Sequence, residues 1–259
     1  MLILVTNDDG IHSAGLQALA DQLQFLGRVV VVAPDRERSA VGHALTLHSP
    51  LRAEEITKDR WAVSGTPTDA VIMGVCALLK EKPDLVISGI NKGGNMGDDL
   101  TYSGTVAAAM EATLMGVPAI AMSLVSQSFK YHDFADASRV ARQLAKTVLD
   151  HGLPADTFIN VNVPVQKPLG IRLTRQGKRD YEDAVIENRD PRGRSYYWIG
   201  AGKLGFQDLA GTDFHAVQSG YVSVTPLHLD LTNYAAMDRL RQWHLEDVPL
   251  DVGDAESSA

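Results

Sequence analysis

The sequence predicts an α/β fold with a doubly wound, mostly parallel sheet. Apolar runs, such as residues 29–34 and 84–90, alternate with stretches of helical periodicity, such as residues 16–26 and 138–149. Continuous apolar runs are typical of strands that are covered on both faces. Regular alternation of strands and helices favours a parallel sheet with helices on both sides. We therefore expect a three-layer, Rossmann-like arrangement, followed by a β-rich C-terminal extension.

The strands and helices of the sheet domain follow one another through residues 1–165. Thr66 is the expected N-cap of one helix, with Pro67 at its first position, and Gly116 and Pro118 stop another helix. The predicted strands are residues 2–6, 29–34, 84–90, 117–123 and 158–164. The predicted helices are residues 16–26, 67–80, 106–115 and 138–149. We expect these elements to form an α/β catalytic core.

After residue 164 the composition changes, and charged and aromatic residues cluster in residues 172–198. Residues 190–193 have the Asp-Pro-Arg-Gly pattern of a turn. Two antiparallel strands and a final helix are predicted at residues 196–199, 221–226 and 236–244. We expect residues 166–250 to form a β-rich extension with a C-terminal helix that makes oligomer contacts. Residues 251–259 are acidic and small, which predicts a disordered tail.

The chain has 259 residues and 45% hydrophobic content, which supports one large domain or a domain with a smaller appendage. Its single cysteine, Cys76, excludes a disulfide framework and a cysteine-based zinc site. The apolar residues around Cys76 predict a buried thiol. No apolar stretch is long enough to cross a bilayer, and no basic region precedes the first apolar run. These features predict a cytoplasmic protein.

The net charge of -8 and the pI near 5.4 argue against a dedicated nucleic-acid binder, which normally carries a basic face. We therefore expect no stable complex with nucleic acid. A small anionic substrate is still compatible with this charge, because metal ions and backbone amides can supply a local positive potential.

Two adjacent carboxylates, Asp8 and Asp9, follow the first predicted strand, between Asn7 and Gly10. Open α/β sheets bind ligands at the carboxyl ends of their strands, and hard divalent cations prefer oxygen ligands. The same aspartates could instead form an Asx-turn and a helix N-cap. Capping explains one aspartate well and two adjacent ones less well. From the residues alone, both interpretations stay open.

Ser39 follows the second predicted strand. A solvated loop with a helix-capping serine is the simpler interpretation of this position. However, loops after successive parallel strands meet at the same edge of a sheet. A serine hydroxyl there could act as an oxygen ligand for magnesium.

Asn91 and Asn95 lie in a loop that has four glycines in nine residues. That composition indicates positive φ angles or a close approach of the backbone to a ligand. The loop leads to Ser103, Gly104 and Thr105, at the start of a predicted helix. Backbone amides at a helix N-terminus bind phosphate through free N–H groups and the helix dipole. An anion site is therefore favoured over a flexible turn.

Other kinds of chemistry have little support. The glycine-rich loop matches neither the Walker pattern of nucleoside-triphosphate hydrolases nor the dinucleotide fingerprint. His12, His43 and His48 lack the paired spacing of metal ligands, and no Gly-x-Ser-x-Gly elbow supports a catalytic triad. The aromatic residues 196–198 could stack on a base, although aromatic strand residues more often serve packing.

Six segments together resemble the SurE family, the stationary-phase survival proteins that act as 5′/3′-nucleotidases. They run in order and cover nearly the whole chain except the acidic tail. The segments are Val-Thr-Asn-Asp-Asp-Gly at 5–10, Ala-Pro-Asp-Arg-Glu-Arg-Ser at 33–39, Gly-Thr-Pro-Thr-Asp at 65–69, Ser-Gly-Ile-Asn-Lys-Gly-Gly-Asn at 88–95, Tyr-Ser-Gly-Thr-Val at 102–106 and Gly-Tyr-Val-Ser-Val-Thr-Pro-Leu at 220–227. Each segment is weak evidence alone, and the ordered set makes the resemblance strong.

The resemblance implies a metal-dependent phosphomonoesterase that acts on nucleoside 5′-monophosphates and on 3′-monophosphates as well. It implies one magnesium or manganese ion per subunit, with the ligands Asp8, Asp9, Ser39 and Asn91. The segments that line the family's phosphate pocket match Asn95, Ser103, Gly104 and Thr105. The family also implies a homodimer or homotetramer, with the extension and the C-terminal segment exchanged between subunits.

On this basis we expect the metal to polarise a phosphoryl oxygen and to lower the pKa of a water molecule. Asp8, rather than Asp9, is the expected group that orients or deprotonates this water. A covalent phosphoaspartate on Asp8 ranks lower, because an adjacent Asp-Asp pair differs from the spaced Asp-x-Asp of aspartyl-phosphate enzymes. A non-enzymatic nucleotide sensor and a structural oligomer with a vestigial pocket are the two other hypotheses.

Overall fold

A computed structural model describes residues 1–126, 128–181, 185–199 and 204–248. Its strands are β1 Leu2–Thr6, β2 Arg28–Pro34, β3 Ala53–Thr57, β4 Arg60–Val63, β5 Leu85–Lys92, β6 Ala119–Val125, β7 Thr157–Pro164, β8 Ile171–Leu173, β9 Arg179–Tyr181, β10 Val185–Arg189, β11 Ser195–Ile199, β12 Leu204–Phe206 and β13 Val222–His228. Its α-helices are α1 Ala14–Leu23, α2 Pro67–Met73, α3 Gly104–Leu114, α4 Ala135–His151, α5 Asp213–Gln218 and α6 Tyr234–Arg241. A π-helical turn, Gly74–Leu78, continues α2, and short 3-10 helices span Gly97–Tyr102, Tyr131–Phe134 and Leu245–Asp247.

Nine of the strands form one sheet in the order β3-β4-β2-β1-β5-β6-β7-β13-β8. The strands from β4 to β7 in this order are parallel, whereas β3 runs antiparallel to β4 and β13 runs antiparallel to β7. The strand order reverses at β1, which has β2 on one side and β5 on the other. In doubly wound sheets such a switch point leaves a crevice at the carboxyl ends of the strands.

Helices cover both faces of this sheet. Ile3 and Val5 of β1 pack in the core that contains α1 and α4, and Leu2 and Leu4 pack in the core that contains α2 and α3. Successive strand side chains point to opposite faces, so burial on both faces accounts for the continuous apolar run. The predicted three-layer α/β fold with a mostly parallel sheet is confirmed.

The predicted start of α2 is also confirmed. The Thr66 hydroxyl accepts a hydrogen bond of 3.1 Å from the backbone N–H of Asp69, and the Asp69 carboxylate accepts one of 2.8 Å from the backbone N–H of Thr66. This reciprocal pair is a capping box, and Pro67 occupies the first helical position.

Cys76 is exposed, so the expectation of a buried thiol is wrong. In the π-helical turn Gly74–Leu78, Gly74 is the only buried residue. Cys76 lies on the opposite side of this helical segment, because only one stripe of an amphipathic helix faces the core.

The segment after residue 164 differs from the expected extension in one respect. The predicted antiparallel strand at 221–226 is β13, and it joins the main sheet beside β7 instead of an appended sheet. Its alternating Val222 and Val224 enter the same core as β7, which explains the pairing. The hairpin of β10 and β11 does form a separate two-stranded sheet, as do β9 and β12. The predicted turn at residues 190–193 connects β10 and β11, where the Gly193 N–H donates to the carbonyl of Asp190.

The edge strand β3 and its neighbour β4 were missing from the sequence prediction. β3 reads Ala-Glu-Glu-Ile-Thr, and four of its five residues are exposed. Edge strands tolerate charged side chains, which weakens the apolar signal on which the prediction depends.

The chain divides into two compact units, Met1–Leu229 and a second that begins at Asp230. The described part of the second unit contains α6, which buries none of its residues. The acidic tail at 251–259 lies outside the described residues. Over the described residues, no helix combines the length and the apolar character needed to span a membrane.

Candidate metal and phosphate site

A cleft of about 340 Å³ opens at the carboxyl ends of β1, β2 and β5. Six of the eight predicted site residues line it: Asp8, Asp9, Ser39, Asn91, Asn95 and Ser103. The remaining lining residues are Glu37, Ala40, Lys92, Gly94, Asp99 and Tyr102. The cleft therefore lies at the switch point of the sheet, where three loops that are distant in sequence converge.

Residues other than the two aspartates hold the turn after β1 and cap α1. The Asn7 side-chain N–H group donates to the Gly10 carbonyl (3.1 Å) and to the Ser13 hydroxyl (2.7 Å). Ser13 is the N-cap of α1 and accepts from the backbone N–H of Leu16. The capping interpretation of the aspartates is therefore wrong, and their carboxylates are available to the cleft.

Asp8 is buried, with 6% of its surface exposed. Its Oδ1 accepts a hydrogen bond of 2.5 Å from the Thr105 hydroxyl. Burial raises the pKa of Asp8 from its usual 3.8 to about 6; the Thr105 hydrogen bond lowers it, and the negative charge of Asp9 adds to the rise. In the absence of a cation, Asp8 therefore takes up a proton close to neutral pH.

Asp9 has a cationic neighbour in Lys92. The backbone N–H of Lys92 donates to Oδ2 of Asp9 (3.1 Å), and the Lys92 Nζ lies 3.7 Å from its Oδ1. Burial raises the pKa of Asp9, the charge and hydrogen bonds of Lys92 oppose that rise, and the charge of Glu37 adds to it. The two adjacent aspartates thus concentrate negative charge that one lysine only partly offsets.

Ser39 is exposed in the loop after β2, and its hydroxyl donates to Oε1 of Glu37 at 2.7 Å. The solvated part of the simpler interpretation is correct. The capping part is not, because the next helix begins only at Pro67.

Asn91 lies near the end of β5, just after an irregularity in the pairing of β5 with β6 between Ser88 and Asn91. Bulges of this kind redirect side chains next to functional sites. The Asn91 amide nitrogen donates to the Gly93 carbonyl at 3.0 Å. That bond leaves the amide oxygen as the atom that can serve a cation.

Asn95 and Ser103 also line the cleft. Asn95 is buried, and its amide nitrogen donates to the Ser123 hydroxyl at 2.9 Å. Ser103 is the N-cap of α3 and accepts from the backbone N–H of Val106. The alternative interpretation as a flexible turn is thus wrong for this part of the loop, because Asn95, Met96 and Gly97 are all buried.

Gly104 and Thr105 do not line the cleft. We predicted that they contact phosphate, but the Thr105 side chain is fully buried and donates to Asp8. A Cβ atom on Gly104 would lie 2.9 Å from the Cβ of Asp8, so only glycine allows α3 to approach so closely. Both residues therefore contact Asp8 and hold it in place.

The donor set fits a hard divalent cation. It combines two carboxylates with hydroxyl and amide oxygens, which suits magnesium or manganese better than a soft metal. Among the described residues, no group of three or more His, Cys, Asp or Glu side chains could hold a metal. A cation here would therefore depend on Ser39 and Asn91 as well as on the two aspartates.

Sequence reasoning missed four charged or aromatic side chains of the cleft: Glu37, Lys92, Asp99 and Tyr102. Each lies within four residues of a predicted ligand or phosphate contact, and that adjacency is the signal that could have found them. Asp99 forms an ion pair with Arg179. His43, which we did not expect to bind metal, contacts Glu111 with its Nε2 at 2.7 Å.

The aromatic residues 196–198 lie on β11, with exposed fractions of 44%, 61% and 60%. They do not serve packing within the described part of the chain. A two-stranded ribbon has no second layer against which such side chains can be buried.

Comparisons with known proteins find extensive similarity to one family. A family model described as "Survival protein SurE" matches residues 3–183. A relative from Syntrophotalea carbinolica named 5′-nucleotidase SurE is 60% identical, over 95% of this chain and 98% of its own length. A relative of the same name from Geobacter sulfurreducens is 59% identical, over 98% and 97%. The crystal structure of the SurE protein from Aquifex aeolicus is 47% identical, with a TM-score of 0.85, and the match covers 94% of this chain and 100% of that one.

Proposed function

The chain belongs to the SurE family of survival proteins, and we propose that it is a metal-dependent phosphomonoesterase that hydrolyses nucleoside 5′-monophosphates to nucleoside and phosphate. We include 3′-monophosphates among its substrates. The observation that carries the proposal is the pair of adjacent carboxylates, the buried Asp8 and the half-buried Asp9, in a polar cleft at the switch point of the sheet. The names of the relatives agree with it.

We assign one divalent ion per subunit, magnesium or manganese, to the ligands Asp8, Asp9, Ser39 and Asn91. When bound, the ion would polarise the phosphoryl group and lower the pKa of a nearby water. Lys92 supplies further positive charge beside Asp9. The chain itself has a net charge of -8, so this local positive potential is needed to attract a phosphate.

Asp8 is the group to which we assign the proton of the attacking water. Burial raises the pKa of Asp8 to about 6 in the metal-free protein, and a bound cation would lower it and keep the carboxylate ionised, which is the form that can orient the water or accept its proton. Thr105 fixes the orientation of the carboxylate through Oδ1. The other carboxylate oxygen, Oδ2, is then available for the water or the ion.

Asn95 and Ser103 are assigned to the phosphate oxygens, together with the backbone amides of the glycine-rich loop. Donors that are fixed in advance stabilise the charge that moves during phosphoryl transfer, because no reorganisation is needed at that moment.

Tyr102 is assigned to the base of the nucleotide. It is the aromatic residue among those that line the cleft, and 62% of its surface is exposed. Stacking on an exposed aromatic ring binds any of the bases, because each has a π face. The remainder of the cleft is mostly polar and offers a base little apolar surface.

The sensor hypothesis is not favoured, because the names of the relatives describe an enzyme. The phosphoaspartate variant stays second to attack by water. Trapping a phosphorylated Asp8 would reverse that order.

We also propose that the protein is a cytoplasmic homodimer or homotetramer, without a stable nucleic-acid complex, in which residues 166–250 make subunit contacts. The hairpin of β10 and β11 supports this proposal, since it exposes Val185, Tyr197, Trp198 and Ile199. Exposed apolar clusters of this kind mark interaction surfaces.

A phosphate-release screen tests the activity. Nucleoside 5′- and 3′-monophosphates are supplied with magnesium, with manganese and with chelator. The proposal requires phosphate release that depends on the metal. Nucleotide binding that is unchanged by chelator, without phosphate release, would instead establish a sensor.

A further inference from the structure

Strand β7 carries two asparagines, Asn160 and Asn162, in the interior of the sheet. Both are fully buried. They alternate with Val161 and Val163, which pack in the core on the opposite face. A buried amide costs free energy unless it forms hydrogen bonds. The partners of these amides therefore reveal what they do.

Both amides converge on the backbone of one residue, Asn95. The amide nitrogens of Asn160 and Asn162 donate to the carbonyl oxygen of Asn95, at 2.8 and 2.9 Å. The amide oxygen of Asn162 accepts from the backbone N–H of Asn95 at 2.9 Å. Asn162 thus holds both backbone groups of Asn95, as a neighbouring strand would.

The Asn95 side chain is held from the same direction. Its amide nitrogen donates to Ser123 of β6, and Ser123 is the cross-strand partner of Asn162. A Cβ atom on Gly94 would lie 3.3 Å from the Asn162 amide oxygen and 2.8 Å from the Met96 side chain. Glycine at position 94 therefore lets the loop approach β7 closely.

The amide oxygen of Asn160 is buried without a hydrogen-bond partner among the described residues. An unpaired buried acceptor is unfavourable. The unpaired oxygen of Asn160 lowers stability. We therefore attribute the presence of asparagine at position 160 to its amide N–H group, which donates to Asn95.

We propose that Asn162, assisted by Asn160, is a positioning residue that sets Asn95 at the correct place in the phosphate pocket. The inference rests on the proposed function, which assigns Asn95 to phosphate. β7 is hydrogen-bonded to a strand on each side, β6 and β13, so its two amides anchor a loop rich in glycine to the interior of the sheet. Misplacement of a binding group by about 1 Å can lower a rate by about 10²-fold.

The test compares Asn162→Asp, which replaces the donor to the Asn95 carbonyl with an acceptor, and Asn162→Ser, which removes the amide without adding charge. We expect both variants to weaken the binding of inorganic phosphate, measured by calorimetry, by about tenfold or more, and to lower kcat/KM by about 10²-fold. If the aspartate variant does not fold, the serine variant is compared with the wild type instead. A loss in the aspartate variant alone would overturn the inference, because added charge would then explain it.

Thr225→Val is the matched control. Thr225 is buried on the same face of the neighbouring strand β13 and shares a hydrogen bond with Thr174, not with Asn95. We expect this control to lower the unfolding midpoint and to leave KM, kcat and phosphate affinity within about twofold.

A double variant shows whether Asn162 acts through Asn95. In an Asn95→Ala background, Asn162→Ser should cause little further loss, because the group that it positions is gone. Losses that multiply in the double variant, or phosphate affinity in Asn162→Ser within about twofold of the wild type, would overturn the inference. If the wild type binds inorganic phosphate but cleaves no phosphomonoester, the proposed function fails while the calorimetry still decides the role of Asn162.

Discussion

The Thr105 hydroxyl donates a hydrogen bond of 2.5 Å to Oδ1 of Asp8, across a separation of 97 residues. The bond joins the first turn of α3 to the turn after β1. It favours the ionised carboxylate, whose pKa burial raises and this hydrogen bond lowers. Thr105 therefore fixes both the orientation and the charge of the residue to which we assign the proton transfer.

Replacement of Thr105 by valine removes this bond with little change in volume. Hydrogen bonds to charged groups contribute about 1.5–3 kcal/mol, so we expect Thr105→Val to lower kcat/KM by about one to two orders of magnitude. Thr105→Ser keeps the hydroxyl and should retain most of the activity. Steady-state kinetics at neutral pH measures both. Equal activity of the valine and serine variants would show that the bond has no part in catalysis.

The buried carboxylate makes the stability of the metal-free protein depend on pH. The pKa of Asp8 is raised by burial to about 6 from its usual 3.8, so the folded protein holds the proton that the unfolded chain releases. This contribution to stability is complete below pH 3.8 and is lost as the pH rises through 6. Its size is about 3 kcal/mol.

Urea unfolding of the metal-free wild type and of Asp8→Asn, from pH 4 to pH 7.5, tests this expectation. The wild type should lose stability relative to the variant as the pH rises, because the asparagine carries no charge to bury. A difference between the two proteins that stays constant over this range would contradict the raised pKa.

Removal of the cation or of its ligands should abolish turnover without unfolding the protein. We expect chelator to stop phosphate release and added magnesium or manganese to restore it. Asp9→Asn should lower kcat by at least about 10²-fold, since it removes a charged ligand. Asp35→Asn is a suitable control, because Asp35 follows β2 at the same edge of the sheet but pairs with Arg36 and does not line the cleft. Turnover that survives in Asp9→Asn would place the metal elsewhere.

The assignment of Tyr102 to the base predicts a loss that depends on the substrate. Base stacking is worth about 1–3 kcal/mol, so Tyr102→Ala should lower kcat/KM for a nucleoside monophosphate by about 5- to 100-fold. Ribose 5-phosphate, which has no base, should be cleaved by the variant and the wild type equally well. Tyr102→Phe keeps the ring and serves as the control. Equal losses for both substrates would assign Tyr102 to the phosphate or to the structure of the loop.

The exposed hairpin of β10 and β11 predicts the site of subunit contact. Trp198→Glu places a charge at the centre of its aromatic cluster and should weaken association by about 2 kcal/mol or more, as expected for a buried interface aromatic. Analytical ultracentrifugation should then detect a smaller species. Phe25→Glu, at an aromatic residue that is 73% exposed on α1's C-terminal side, is the matched control. A wild type that is monomeric at all concentrations would refute the proposed oligomer.

Most of the sheet could be predicted from the sequence, because a strand that is buried on both faces is a nearly continuous apolar run. The central strands, such as Leu2–Thr6 and Leu85–Lys92, are nearly continuous apolar runs, and their helices carry caps with clear signals. The edge strand Ala53–Thr57 has no such apolar run, since most of its side chains are exposed. The membership of β13 in the main sheet depends on pairing with a strand more than 50 residues away, which no local pattern encodes.

The cleft was predictable as far as its residues directly follow strands. Asp8, Asp9, Ser39 and Asn91 could be grouped because parallel strands end at one edge. The role of Thr105 could not be predicted from its position at a helix start, since its side chain turns towards β1 and away from the cleft. The hydrogen bonds of Asn162 to Asn95 could not be predicted either, because the sequence around an asparagine in a buried strand does not indicate which loop accepts its hydrogen bond.

The side chain of Asn7 forms the hydrogen bonds that shape the first turn, whereas Asp8 and Asp9 carry its charge. Asn7 and Ser13 hold that turn and cap α1. The side chains of Asp8 and Asp9 form their hydrogen bonds outside the turn, with Thr105 and Lys92, and burial raises the pKa of both carboxylates, so their charged forms destabilise the metal-free folded state. A form with asparagine at both positions should therefore fold more stably than the natural chain at neutral pH while leaving the pocket intact. Such a neutralised protein would keep the fold but lack both charged ligands of the cation, so it would separate the cost of burying the two charges from their role in binding the metal.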